Sequence, residues 1–156
     1  KRVQELSSYR SDFFGRLRKL LGNRPGIRIV GDRFVFQSEV LFPSGSDELN
    51  PAGQIEMTKL ASAINEIRLE IPRNINWVLR IDGHTDKQPI NNEKFPSNWE
   101  LSSSRAISVV RYLIDEGVPP SRLVAAGFGE NHPLDNATTP EAFAKNRRIE
   151  LKLTEK

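Results

Sequence analysis

Apolar residues recur every three or four positions in three long segments of the chain, a spacing that places them on one face of an α-helix. The predicted helices span residues 1–21, 51–71 and 99–116. Asn50 and Pro51 supply an N-cap and a first helical residue for the second of them. Gly22, Pro72 and Gly117 follow the three segments and are typical of helix ends.

Shorter segments, in which apolar and polar residues alternate, predict β-strands. They cover residues 27–30, 33–37, 76–82, 121–126 and 148–153. Gly31 and Asp32 separate the first two, as in a two-residue hairpin loop with glycine first. The third is followed by a helix and then by another strand, so the chain predicts an α/β fold in which helices cover a sheet. Residues 140–146 fit a short additional helix.

The first predicted helix carries an apolar stripe whose partner the pattern does not identify. The stripe comprises Val3, Leu6, Phe13, Leu17 and Leu20. It fits a helix packed on its own domain, an arm of a short coiled coil or dimer, or, given Arg16, Arg18 and Lys19, a helix on a membrane surface. A monomer would have to cover this stripe, so we expect residues 1–22 to promote a homodimer.

Length and composition are typical of one soluble globular domain: 156 residues, 37% hydrophobic and 28% charged. No apolar run approaches the roughly 20 residues that a membrane helix needs. The chain begins with Lys1 rather than Met and without a signal peptide, which suggests that an upstream part, such as a membrane anchor, precedes it. Cysteine is absent, which excludes disulfides but identifies no compartment.

The net charge of +3 is unevenly distributed along the chain. Residues 1–33 carry nine Lys or Arg against three Asp or Glu, whereas residues 34–156 carry fourteen against seventeen. The main part of the chain is therefore not a basic nucleic-acid binder, and no nucleic-acid partner is expected.

The principal candidate for function is the run Asp82-Gly83-His84-Thr85-Asp86 at the end of the third predicted strand. We expect Gly83 to let the backbone turn and His84 to be a hydrogen-bonding turn residue. Asp82, His84 and Asp86 alternate, so a metal site is an alternative. The chain has no cysteine and only one other histidine, so no metal is expected.

Asp86 and Arg105 are the charged pair best suited to bind a ligand. Arg105 lies about two turns into the third predicted helix, so the two residues can meet across the loop at 87–97. An arginine fork binds a carboxylate and an aspartate accepts an ammonium, and the pair therefore fits a zwitterion. The alternative is that the two residues only form a salt bridge with each other.

Three motifs, in this order, resemble those of the OmpA/MotB-like peptidoglycan-binding domain family. They are GHTD at 83–86, NxxLSxxRA at 98–106 and NRRIE at 146–150. The resemblance covers about residues 35–153, and the long loop at 87–97 with SNWELS after it is most similar to the MotB type. It implies a two-layer βαβαβ sandwich, with a mixed sheet and helices on one face, preceded by an N-terminal helix. The implied boundary separates a helix and linker at 1–26 from the domain at 27–156.

The resemblance also implies non-catalytic binding of peptidoglycan through the diaminopimelate of its stem peptide. In similar domains the aspartate of GHTD and the arginine of LSxxRA bind diaminopimelate, and these residues are Asp86 and Arg105 here. The motifs imply four further site residues: Thr85, Asn98, Leu101 and Arg148. For Arg148 and Arg147, the alternative is a charge pair that holds Glu150. No catalytic residue and no cofactor is expected, since the chain has no GxSxG, P-loop or HExxH motif.

The family resemblance further implies a periplasmic domain in a Gram-negative envelope, tethered to a membrane by an upstream anchor or complex. Its role would be to anchor a larger, stator-like protein to the wall. The alternative function is a dimerisation or scaffold module with regulated wall binding, which the N-terminal helix favours. A wall hydrolase is a third hypothesis, because Asp82, Asp86 and Glu100 lie close to the motifs.

Overall fold

The computed structural model describes the backbone of residues 2–22 and 26–156, and the side chains from Leu6 onward within these ranges. These residues form five helices and five strands, with a short 3₁₀ turn at Pro120–Arg122. The helices are α1 (Arg2–Leu21), α2 (Ser38–Leu41), α3 (Pro51–Ile67), α4 (Asn98–Asp115) and α5 (Pro140–Asn146). The strands are β1 (Ile27–Val30), β2 (Arg33–Gln37), β3 (Trp77–His84), β4 (Leu123–Gly127) and β5 (Arg148–Glu155).

The strands form one mixed sheet in the order β1-β2-β5-β3-β4. Neighbouring strands are antiparallel except for β3 and β4, which are parallel and joined through α4. One face of the sheet carries Trp77, Leu79 and Ile81 from β3, and it packs with α1, α3 and α4 in a single apolar core. The predicted α/β class, with a mixed sheet and helices on one face, is confirmed.

Local chemistry explains where the two core helices begin and end. The side chain of Asn50 accepts a hydrogen bond of 2.6 Å from the backbone N–H of Gly53 and so caps α3. This helix ends at Ile67, earlier than predicted, and residues 68–71 continue as turns before Pro72. Gly117 ends α4 with a φ of 96°, a left-handed conformation that glycine adopts readily.

Helix α1 packs on the body of the same domain. Leu6, Phe13, Leu17 and two further apolar residues, Phe14 and Leu21, are buried in the core, while Leu20 remains 41% exposed. The guanidinium of Arg10 donates to the carbonyl of Leu153 on β5 at 3.1 and 3.3 Å.

This packing realises the first of the three predicted arrangements of the N-terminal helix. Three of the five stripe residues, Leu6, Phe13 and Leu17, are covered within the chain; Leu20 is exposed, and the side chain of Val3 lies outside the described residues. The homodimer and the boundary between residues 1–26 and 27–156 both stay predictions, and the stripe no longer supplies a physical reason for the dimer.

Strand β3 runs two residues further than the sequence predicts, and Gly83 lies inside it. Gly83 is therefore not a turn residue: it pairs with β5 and with Gly127 of β4. A Cβ on Gly83 would lie 2.2 Å from the carbonyl oxygen of Ser102, and one on Gly127 would lie 2.0 Å from Ser103 Oγ. The two glycines thus let the backbone of α4 rest directly on β3 and β4.

We expect Gly83→Ala to destabilise the domain by about 1–3 kcal/mol or more, because the added methyl group meets backbone atoms of α4 that have no room to move. The measurement is the free energy of unfolding from urea titration followed by circular dichroism.

Gly15→Ala is the matched control. Gly15 lies inside α1, and an added Cβ there meets no atom within 4 Å, so alanine should stabilise the helix by about 0.5–1 kcal/mol. If the two substitutions change the free energy of unfolding equally, the contact between α4 and β3 does not exclude a side chain at position 83.

Candidate functional site

Polar residues from several elements converge beyond the end of β3. Five of the predicted site residues line one pocket of about 300 Å³, and Arg147 lines it with them. The five are Thr85, Asp86, Asn98, Leu101 and Arg105. Residues 44–45 and 88–90 supply much of the remaining wall.

Hydrogen bonds fix the chain around this pocket. The N–H of Thr85 donates to the carbonyl of Gly129 at 2.9 Å, which ties the segment after β3 to the turn after β4. The side-chain amide of Asn98, in the first turn of α4, donates to the carbonyl of Gln88 at 3.0 Å and holds the loop at 87–97. Ser97 caps α4 by accepting from the N–H of Trp99. The pocket walls are therefore built on rigid elements.

Asp86 is the acidic group of the pocket, and the residue is only 6% exposed. One carboxylate oxygen accepts from the N–H of Gln88 at 2.9 Å. The other accepts from Nη1 of Arg147 at 2.7 Å, and Nε of the same arginine lies 3.2 Å from both carboxylate oxygens of Glu39. Arg147 therefore bridges two carboxylates, one inside the pocket and one at its rim.

Arg105 is the buried cation of the pocket, at 2% exposure. Its Nε donates to the carbonyl of Ser46 at 2.7 Å, and Nη2 donates to the carbonyl of Pro43 at 3.3 Å. Burial lowers the pKa of Arg105, but guanidinium groups keep their proton in proteins. These bonds engage two of its five N–H groups, and within the described part of the chain Nη1 makes no hydrogen bond.

Asp86 and Arg105 share the pocket without bonding to each other. Among the residues that the structure describes, Asp86 pairs with Arg147 instead. The predicted alternative, a salt bridge between Asp86 and Arg105, is therefore not formed. Each group keeps a role that a ligand can use: a carboxylate on one side and a partly unoccupied guanidinium on the other.

Arg148 lies elsewhere, in contrast to the sequence prediction that it forms a wall of the site. Its side chain is buried on the face of the sheet opposite α1, α3 and α4, which we call the open face. There Nε donates to Glu150 at 2.5 Å, and Nη2 donates to the carbonyl of His132 at 2.8 Å. Successive residues at the start of a strand point to opposite sides, and so Arg147 reaches the pocket while Arg148 turns away. The alternative role for Arg148, holding Glu150, matches the structure.

A buried charged cluster occupies this open face around Asp82, His84 and Glu150. One ligand atom of each lies within 4.8 Å of the others. However, Arg80 donates to both oxygens of Asp82 at 2.8 and 2.9 Å, and Glu150 is bonded by Arg33 as well as by Arg148. Three guanidinium groups against two carboxylates disfavour a divalent cation at this cluster.

His84 is an apolar-packed strand residue rather than a hydrogen-bonding turn residue. Its ring stacks on Phe128, with centroids 4.8 Å apart and planes at 5°. Neither ring nitrogen has a hydrogen-bond partner within the described ranges. Burial, together with the nearby charge of Arg148, lowers the pKa of His84 to about 3, so the ring is neutral at pH 7.

This pKa makes the stability of the domain depend on pH in a defined direction. Below about pH 6.5 the unfolded chain protonates His84, whereas the folded protein does not until about pH 3. Folding is therefore disfavoured as pH falls through this window, by about 1.4 kcal/mol per pH unit from this residue. His84→Phe should remove that contribution, as measured by urea unfolding at pH 6.5, 5.5 and 4.5.

His132→Gln is the control, because His132 is the other histidine of the chain and is exposed. Its ring lies 6.2 Å from that of His84, so this variant separates the loss of a neighbouring ring from the loss of His84 itself. If His84→Phe has the same pH slope as the wild type, His84 takes up a proton as readily in the folded protein as in the unfolded chain, and the assignment is wrong.

Comparison with known proteins agrees with this architecture. Residues 41–147 match the OmpA family. Motility protein B of Bacillus subtilis is 36% identical over 117 residues, which cover 74% of this chain and 42% of that relative. The chain thus spans less than half the length of this curated relative.

Two solved structures are similar over nearly the whole chain. A MotB-like protein from Desulfovibrio vulgaris has a TM-score of 0.83 at 30% identity, with 99% of this chain and 96% of that chain covered. The cell wall anchor of the T6SS from Pseudomonas aeruginosa has a TM-score of 0.68 at 25% identity, with 97% of each chain covered.

No helix in the described ranges is long and apolar enough to span a membrane. The matched residues include both GHTD and the motif on α4, and the fold agrees with that of the MotB-like structures. This chain therefore belongs to the OmpA family, and within that family it is similar to proteins of the MotB type.

Proposed function

We propose that this domain binds peptidoglycan without cleaving it and thereby anchors a larger envelope protein to the cell wall. The observation that carries the proposal is the buried pair of opposite charges in one pocket, Asp86 and Arg105, each held by protein contacts and separated from the other. The T6SS structure that this chain resembles is itself described as a cell wall anchor.

The proposed ligand group is the diaminopimelate of the stem peptide. Its side chain ends in an ammonium and a carboxylate on the same carbon. The N–H groups of Arg105 that make no protein contact can donate to the carboxylate, and Asp86 can accept from the ammonium. Thr85, Asn98 and Leu101 complete the walls around this group.

Arg147 adds a condition to this binding. Its guanidinium bonds one oxygen of Asp86, so an incoming ammonium has to share that carboxylate or displace the arginine. Glu39 can retain Arg147 at the rim, because it already contacts Nε. With Glu39 included, the two guanidinium groups of Arg105 and Arg147 face two carboxylates, and this balance of charge suits a zwitterionic ligand group.

A pocket of this size gives modest affinity for one stem peptide, whereas the wall presents many copies of it. Several tethered domains would therefore bind by avidity. We propose a periplasmic location and an upstream membrane anchor or membrane complex for the parent protein, and a homodimer as its form. The alternative, a dimerisation or scaffold module with regulated wall binding, stays a prediction. Three residues of the stripe on α1, Leu6, Phe13 and Leu17, are buried within the chain and so are not available for a partner.

We expect Asp86→Asn and Arg105→Lys to weaken binding of a diaminopimelate stem peptide by about tenfold to a thousandfold. Asparagine removes the negative charge that faces the ammonium, and lysine lacks the planar fork that binds a carboxylate through two N–H groups. Loss of such a desolvated, charge-assisted contact costs roughly 2–5 kcal/mol. Calorimetric titration measures the loss, and circular dichroism verifies that each variant is folded. Arg111→Gln, an exposed change on the same helix, should bind as the wild type does.

A peptide with lysine in place of diaminopimelate tests the role of Arg105 directly. Lysine lacks the second carboxylate, so the wild type should bind it at least about tenfold more weakly. In Arg105→Lys this preference should shrink. If both folded variants bind both peptides as tightly as the wild type, the pocket does not bind the stem peptide.

Pure protein should co-sediment with diaminopimelate-type sacculi and leave them intact. Asp86→Asn should remain in the supernatant, because its pocket has lost the negative charge that faces the ammonium. Release of soluble muropeptides over time, followed by chromatography, would contradict the non-catalytic assignment even if binding were confirmed.

A further inference from the structure

A second charged cavity lies at the other end of the sheet from the ligand pocket. It has a volume of about 250 Å³, and three of its lining residues are arginines, with no acidic residue among those that the structure describes there. The arginines are Arg68, Arg73 and Arg122, and the other lining residues are Leu69, Ile71 and Pro119. We call this cavity the arginine cleft.

The position of the cleft follows from the contacts of Arg122. Its Nη1 donates to the carbonyl of Trp77, the first residue of β3, at 2.8 Å. The ligand pocket lies beyond the last residue of the same strand, His84. The length of this strand places the cleft and the pocket roughly 25 Å apart, at opposite ends of the domain.

Two of the three guanidinium groups are held in place by neutral partners. Arg122 also stacks over the ring of Trp77, at 4.6 Å from its centroid. Arg68 donates from Nε to the side-chain oxygen of Asn65 at 2.9 Å. Arg73 is exposed and forms no ion pair or hydrogen bond with any residue in the described ranges.

Among the residues that the structure describes, none of these three arginines forms an ion pair with a carboxylate, and no acidic side chain lines the cleft. The acidic residues at the end of α3, Glu66 and Glu70, contact Arg16 of α1 instead. Three cations that line one cavity repel one another, and an anion in the cavity would reduce this repulsion. Their planar forks match the oxygens of a phosphate group, and so phosphate is the chemistry that fits the cleft.

An exposed apolar side chain marks the source of the phosphate. Leu69 lies among the arginines and is 77% exposed, the highest value of any large hydrophobic residue that the structure describes. An exposed leucine adds nothing to the binding of a free anion in water. A bilayer presents phosphates above an apolar layer, where both the arginines and the leucine can make favourable contacts. We propose that the arginine cleft binds the phosphate of an anionic phospholipid headgroup while Leu69 enters the interface.

Docking in this way would turn the opposite end of the domain, with its ligand pocket, away from the membrane. The cleft and the pocket share no lining residue, so this proposal does not depend on the function of the pocket.

The test is co-sedimentation of the purified chain with vesicles of phosphatidylcholine, with and without phosphatidylglycerol, at low ionic strength. The wild type should bind only the anionic vesicles. Arg73→Gln should weaken this binding about fivefold, and the Arg68→Gln, Arg73→Gln double variant about twenty-fivefold, given the usual contribution of one basic side chain at an anionic surface. Leu69→Ser should weaken it as well.

Arg28→Gln is the matched control, since it removes the same charge from an exposed position on β1. It should bind as the wild type does. Equal losses in Arg28→Gln and Arg73→Gln would show that net charge alone drives binding, and absence of wild-type binding or equal binding to neutral vesicles would also overturn the proposal. If inorganic phosphate binds in a manner that requires Arg73 while anionic vesicles do not, the cleft takes a free anion and the lipid assignment is wrong.

Discussion

The direct contact between the backbone of α4 and the strands β3 and β4 determines where the charged groups of the pocket lie. Gly83 and Gly127 remove the side chains that would otherwise separate helix and sheet. Ser102 sits at this contact, and Arg105 follows it by about one helical turn, so the guanidinium is placed relative to the end of β3 by backbone packing. Asn98, one turn earlier, is fixed by the same contact and in turn holds the loop after Asp86.

The open face of the sheet solves a different problem, which is how to bury charges at acceptable cost. A buried ion is tolerated only when it is paired and hydrogen-bonded. Here Asp82 is paired within its own strand by Arg80, and Glu150 receives guanidinium groups from β2 and from its own strand. Arg148 also bonds the carbonyl of His132, so the network fastens the loop after β4 to the sheet. The charged groups that resemble a metal site therefore stabilise the fold by joining strands of the sheet to the loop after β4.

Much of the architecture follows from local chemistry, and so the sequence predicts it well. Asn50 and Pro51 start α3 as expected, and the glycine of the loop after β1 has the positive φ that a tight hairpin requires. The pocket residues that belong to GHTD and to the α4 motif were also predictable, because the residues of each motif lie on one short segment of the chain. What the sequence does not reveal depends on long-range packing. Only the sheet register determines that Arg147 rather than Arg148 enters the pocket.

Gly83 is a second feature that the sequence alone does not explain. Its backbone is that of an ordinary strand residue, and glycine is required there only because α4 packs directly against it. The burial of α1 is likewise invisible in its own periodicity, which fits several partners equally well. Both features depend on which helix packs on which part of the sheet, and the local pattern of residues does not specify these contacts.

The anchoring of α1 has a mechanical consequence. Arg10 bonds the carbonyl of Leu153 on β5, and Arg16 pairs with Glu70 after α3. The apolar side chains of the helix, Phe13, Leu17 and Leu21 among them, belong to the same core as α3 and the sheet. A force that pulled α1 away would have to break these polar contacts and bring the buried apolar surface into water, so the helix can transmit tension to the domain.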